Sequence, residues 1–170
     1  MSIFNIYPPA KPEDIATAIK ELMASFKQMN KTEEDKEFWK LLAKQIKKLA
    51  WSKERIEYAH KILEIGDYKT VANRSYYAVF AAMRAVLALD GFDSKKHSGI
   101  ISQFRKEYLK TGLFPIELSG IIDALVEIRQ GSDYDDFYIV SKEEVVEQLY
   151  NAEKFVNEIK NFLTNKYSEK

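Results

Sequence analysis

The sequence predicts an all-α protein, and three observations lead there. Apolar residues recur at three- and four-residue spacings along most of the chain, and no segment sustains the alternation of a strand. Gly 6 and Pro 4 are low counts, and most of these residues stand where a helix would begin or end. Helix-start signals also precede the periodic stretches: Thr32 before Glu33-Glu34-Asp35, Asp67, Ser94, and Ser141 with Glu144 three residues on, a capping box. Together they place six helices at about 13–29, 33–65, 68–90, 95–110, 115–130 and 142–166.

Residues 1–31 form a leader, with Pro8, Pro9 and Pro12 ahead of an extra helix striped by Ile15, Ile19, Leu22 and Phe26. The polar junction Gln28-Met29-Asn30-Lys31 separates it from the main body, 32–170. Helix 33–65 has two apolar faces. One is Leu42, Ile46, Leu49, Ile56 and Leu63, with His60 at its edge; the other is Trp51, Tyr58 and Ile62. The second face needs a partner, either the leader helix or a second copy of the chain. Helix 68–90 is apolar nearly all round, which marks it as the central, buried helix. Its alanine side (Ala78, Ala81, Ala85, Ala88) permits close approach of a neighbour. Gly66, Gly91, Gly112 and Gly131 follow periodic segments as left-handed caps would, and Pro115 opens the fifth helix. In 142–166, Val145, Leu149, Ala152, Val156, Ile159 and Leu163 make a single seam.

Composition excludes several classes of chemistry. The 170 residues suit one core-forming body, and Lys+Arg 26 balance Asp+Glu 26, so any polyanion site must be a local patch. Without cysteine there are no disulfides, thiolate nucleophiles or zinc–cysteine sites. The longest apolar stretch, Tyr76 to Leu89, contains Arg84 and is shorter than a membrane helix, and the N-terminus reads as neither signal nor transit peptide. A soluble, cytoplasmic protein with no cofactor is expected. There is no phosphate-binding glycine loop, dinucleotide fingerprint or nucleophile elbow. Asp133, Asp135 and Asp136 lie close together but match no calcium loop, so no metal site is assigned.

The basic residues are concentrated. Lys40, Lys44, Lys47, Lys48, Lys53, Arg55 and Lys61 lie on the long helix; Lys95, Lys96 and His97, with Ser98, stand at a helix start, where backbone N–H groups favour an anion. Arg74 and Arg84 sit within the greasy helix, so each needs a carboxylate, carbonyl or anion partner. Arg129 projects from the apolar face of Leu118, Ile121, Ile122 and Leu125, either snorkelling from the last turn or serving a site.

The runs Arg74-Ser75-Tyr76-Tyr77-Ala78-Val79-Phe80, Ser94-Lys95-Lys96-His97-Ser98-Gly99, Phe114-Pro115, and Leu125-Val126-Glu127-Ile128-Arg129 leading into Ser132-Asp133-Tyr134-Asp135 closely resemble the HEPN superfamily. The similarity spans roughly 45–165 and is to the small prokaryotic HEPN proteins often encoded beside a minimal nucleotidyltransferase. It implies an up-and-down bundle of four to five core helices, to which the leader helix is an addition. It also implies a homodimer, a nucleotidyltransferase partner in a toxin–antitoxin-like pair, and nucleotide or RNA as ligand. Many such proteins are metal-independent RNases with an Arg-x(4–6)-His motif. Here Arg129 takes the arginine position, and Tyr134 stands where the histidine would be. A phenol of pKa ~10 is a poor base at neutral pH. The resemblance therefore implies either a binding member with a degenerate motif, an RNase with a non-standard pair such as Arg129 and His97, or a structural dimeric adaptor. In the binding reading, Arg74, Lys95, Lys96, His97, Ser98 and Arg129 hold the phosphates. The partner transferase can modify a tyrosine near the arginine motif, which makes Tyr134 and Tyr138 the candidates.

Overall fold

The structure, a computed structural model, describes residues 32–134 and 138–168. The expected leader helix lies outside them. Five α-helices make up the described chain: α1 (Glu33–Glu64), α2 (Tyr68–Leu87), α3 (His97–Phe104), α4 (Leu118–Tyr134) and α5 (Lys142–Ser168). Among the described residues there is no strand, so the chain is an all-α helical bundle.

Local chemistry sets most boundaries. α1 stops where Gly66 turns into the left-handed region at φ 80°, which costs glycine nothing. Asp67 then caps α2, accepting from Thr70 N at 3.1 Å and from the Thr70 hydroxyl at 2.6 Å. A 3₁₀ turn, Ala88–Asp90, closes α2 before Gly91. A π-helical turn, Arg105–Leu109, extends α3. The capping box of α5 is formed: Ser141 N donates to Glu144 Oε2 at 2.9 Å and Glu144 N donates to Ser141 Oγ at 3.2 Å.

α2 is the central helix and packs against the other four. Its alanine side is buried, and there α1 comes close enough for Ser52 Oγ to donate to the Ala78 carbonyl at 2.7 Å. The α5 seam is buried at all six positions. Phe104, Tyr108, Phe114, Phe155 and Phe162 fill the other end, with neighbouring ring centroids 4.8–6.1 Å apart.

Three expected boundaries differ. The fifth helix begins at Leu118 rather than Pro115, because a turn through Ile116 and Glu117 intervenes. It also runs past Gly131 to Tyr134. Gly131 is not a left-handed cap: a Cβ there would stand 2.8 Å from the Tyr138 ring, so the glycine admits that ring. Ser94 is not the cap of α3. Its Oγ accepts from Lys96 N at 3.1 Å, holding the turn before the helix. Trp51 and Tyr58, the second face of α1, are 41% and 54% exposed to solvent. No helix among the described residues is long and apolar enough to cross a membrane.

Candidate functional site

Three helices bring one cluster together. Tyr76 and Tyr77 come from α2, His97 is the first residue of α3, and Arg129 comes from α4. The Tyr76 hydroxyl and His97 Nδ1 are hydrogen-bonded at 2.8 Å. Arg129 lays its guanidinium over both phenol rings, 5.0 Å from the Tyr76 centroid and 5.4 Å from that of Tyr77. Such stacking uses the flat face of the guanidinium, and Arg129 is in addition a hydrogen-bond partner of the Tyr76 side chain. Phe80 packs against the imidazole, with centroids 4.2 Å apart. Arg129 thus lies against aromatic faces and is not a last-turn snorkel, since α4 continues for five more residues.

The electrostatics follow from burial and from these cations. Burial, and then the charges of Arg129 and Arg84, lower the His97 pKa below its ordinary 6.5, so the imidazole is neutral at pH 7. Burial raises the Tyr76 pKa, and Arg129 only partly offsets it, so the phenol keeps its proton. In the tautomer with the proton on Nδ1, His97 donates to the Tyr76 oxygen and leaves Nε2 bare as a base. Nε2 has no hydrogen-bond partner among the described residues.

The loop carrying His97 is tied down by a residue that sequence reasoning passed over. Asp93 accepts from Arg84 Nε at 2.9 Å and from Arg84 Nη2 at 2.8 Å, a two-pronged bond. Lys48 from α1 reaches the same carboxylate at 3.2 Å and Lys44 at 3.5 Å. The carboxylate partner expected for Arg84 is therefore Asp93, and this is a structural ion pair. Asp93 is the sole acid between Phe92 and His97, a signal available in the sequence.

The other sequence candidates are scattered. Lys95, Lys96 and Ser98 are exposed around the start of α3. Arg74 is half-buried on α2, and its Nε finds no hydrogen-bond partner among the described residues. Tyr138 is half-buried against Gly131, its phenol pKa raised by burial and by Glu144 and Glu127. Tyr134 closes α4, and its side chain lies outside the described residues, as do those of Asp133, Asp135 and Asp136. Its backbone is five residues beyond Arg129 on an unbroken helix, about 140° round the axis at 3.6 residues per turn. The structure brings His97 to Arg129 from α3, both against Tyr76. His60 pairs with Glu153 at 2.5 Å, away from this cluster. Among the described residues no group of three His, Asp or Glu could hold a metal ion.

A family model described as HEPN domain matches residues 48–162. The chain is 34% identical over 118 residues to a Methanocaldococcus jannaschii protein named "Putative toxin", covering 65% of this chain and 80% of that one. A second protein of that name and organism is 30% identical over 112 residues, covering 66% and 83%. A Thermotoga maritima protein named "UPF0332 protein" is 30% identical over 135 residues, covering 79% and 96%.

Proposed function

The chain belongs to the HEPN domain family, and on that premise we propose that it binds the phosphates of RNA or a nucleotide at the Arg129–Tyr76–His97 cluster, as the toxin-like member of a pair with a minimal nucleotidyltransferase. One observation supports this most: a guanidinium held on two phenol rings beside a neutral imidazole, near the exposed Lys95 and Lys96. Rings that hold the cation by its face fix its position, and its permanent charge attracts a phosphate. The two relatives named as toxins support the toxin-like part. The transferase pairing rests on the resemblance of the sequence motifs, and co-purification with a nucleotidyltransferase encoded beside it tests that part.

Binding is tested by titrating labelled RNA and nucleotide across a range of salt concentrations. Arg129→Ala is expected to weaken binding by about tenfold or more, the scale of one charge-assisted contact. Replacing Lys95 and Lys96 together by Ala is expected to flatten the salt dependence with little change in melting temperature, both side chains being exposed. Binding that survives all these changes at every salt concentration would put the site elsewhere. The reading also includes a homodimer, as the family resemblance implies. Sedimentation at micromolar concentration checks it, and a monomer there would remove the dimer alone.

A second reading is favoured by the His97 geometry: a metal-independent RNase in which His97 is the base and Arg129 the cation. Cleavage through the 2′-hydroxyl needs a group that takes a proton near neutral pH and a charge that stabilises the phosphorane. His97 meets the first requirement, since its lowered pKa keeps it unprotonated. The Tyr134 position becomes dispensable in that case.

A further inference from the structure

Arg55 and Arg74 extend the cationic character of the cluster away from Arg129. Arg55 is on α1, half-buried, with Nη1 donating to the Trp51 carbonyl at 3.0 Å. Arg74 faces it from α2, and neither forms an ion pair with any described residue. The Nε of each is buried without a hydrogen-bond partner among the described residues. Burial and the Arg74 charge lower the Arg55 pKa while Glu54 and Tyr77 raise it, so Glu54, Arg74 and Tyr77 all lie within electrostatic reach of Arg55. Glu54 acts on Arg55 but forms no ion pair with either guanidinium, so two cations held close together here still favour an added anion.

The strip continues along α1 at helical spacing. Lys47, Trp51 and Arg55 are four residues apart and share one face, and Lys47 Nζ lies 5.0 Å from the Trp51 ring centroid. Trp51 is 41% exposed. At the other end, Arg129 lies over Tyr77. Cations and aromatic rings are therefore interspersed from Lys47 through Trp51, Arg55, Arg74 and Tyr77 to Arg129. Each element has a matching partner in a single-stranded nucleic acid: cations for successive phosphates, rings for unstacked bases. A mononucleotide is too short to use both ends, since Lys47 and Arg55 alone are about 12 Å apart along α1 at 1.5 Å per residue.

We propose that this strip is a track for single-stranded RNA leading into the Arg129–His97 cluster, with Trp51 as the platform on which a base stacks. The proposal rests on the phosphate-binding reading above and narrows its ligand to a strand of several nucleotides. In the Trp39→Phe protein Trp51 is the one remaining tryptophan, and adding oligouridine of about ten residues is expected to quench its fluorescence. Anisotropy with the same labelled strand is expected to show roughly tenfold weaker binding for Trp51→Ala, within the range for losing one base stack, and near-complete rescue by Trp51→Phe. The Arg55→Gln, Arg74→Gln double variant is expected to reduce the salt slope by about 1.4, at ~0.7 for each single-strand phosphate contact. Uridine monophosphate binding is expected to stay unchanged in Trp51→Ala and Trp51→Phe.

Strand binding that is as tight in these variants as in wild type, yet weakened by Arg129→Ala, would overturn the track and leave the phosphate site standing. No strand binding by the wild type would overturn both. If Trp51→Ala kept full strand binding but turned a dimer into monomer, the face would be a self-interface and the track would be refuted.

Discussion

On the second reading, in which the His97–Arg129 cluster cleaves RNA, activity in an assay containing a metal chelator is expected to depend on His97 and not on Tyr134. His97→Ala is expected to lower the rate by about 10²–10⁴-fold, the usual contribution of a positioned general base. Tyr134→Phe is expected to leave the rate unchanged, because a phenol of ordinary pKa ~10 is a poor base at neutral pH. Arg129→Ala is expected to cost a comparable amount to His97→Ala by removing the charge that meets the phosphorane. The pH profile separates a base from a merely structural histidine. The His97 pKa is lowered by burial, Arg129 and Arg84, and a base works unprotonated. Its rate should therefore climb through a midpoint below 6.5 and be flat at neutral pH. Tyr76→Phe removes the hydroxyl bonded to Nδ1 and should reduce the rate without abolishing it, since it acts only by orienting the ring. If His97→Ala cleaves as fast as wild type, His97 is not the base. If the wild type does not cleave at all, the chain is a binding member only, and Arg129 should still hold RNA.

What the sequence made legible was governed by local rules. Asp67 and the Ser141–Glu144 box act within three residues of themselves, and the α5 seam needs only helical periodicity, so each appears where expected. Gly131 was misleading because a glycine after a periodic run has two uses. Its actual use depends on where Tyr138 lands, which helical periodicity does not encode. The end of α4 moved with it, and this changed the relation between Arg129 and Tyr134. At the site, Arg129 was visible as a candidate because it is chemically out of place on an apolar face, and His97 because it stands with Lys95 and Lys96 at a helix start. Their meeting through Tyr76 was not visible, since a tyrosine within a greasy helix reads as core. The Arg84 partner was within reach, nine residues on at Asp93. The Lys48 partner is 45 residues away and emerges only from the packing of α1 on the α2–α3 loop.

That packing supplies the largest expected loss of stability. Asp93→Ala is expected to lower the unfolding free energy by about 2–3 kcal/mol, below the full range for a buried ion pair because the Asp93 side chain is 31% exposed. The loss is still large because Lys48 is only 7% exposed, so removing Asp93 strands a buried ammonium as well as the Arg84 guanidinium. Burial alone would raise the Asp93 pKa. The hydrogen bonds and charges of Arg84 and Lys48 overcome it and hold the carboxyl far below the ordinary value of 3.8. A carboxylate with a depressed folded-state pKa contributes stability that is complete above its unfolded-state pKa and disappears as pH falls toward the folded one. Urea melts should therefore show the full difference between wild type and Asp93→Ala at pH 7, and a shrinking difference below about pH 4. In a chain of this size the shift at pH 7 corresponds to roughly 4–12 °C in melting temperature. Asp93→Asn should lose nearly as much, because shape without charge leaves both cations uncompensated. Equal stability at pH 7, or a difference that persists undiminished into acid, would show that Asp93 does not anchor the His97 loop.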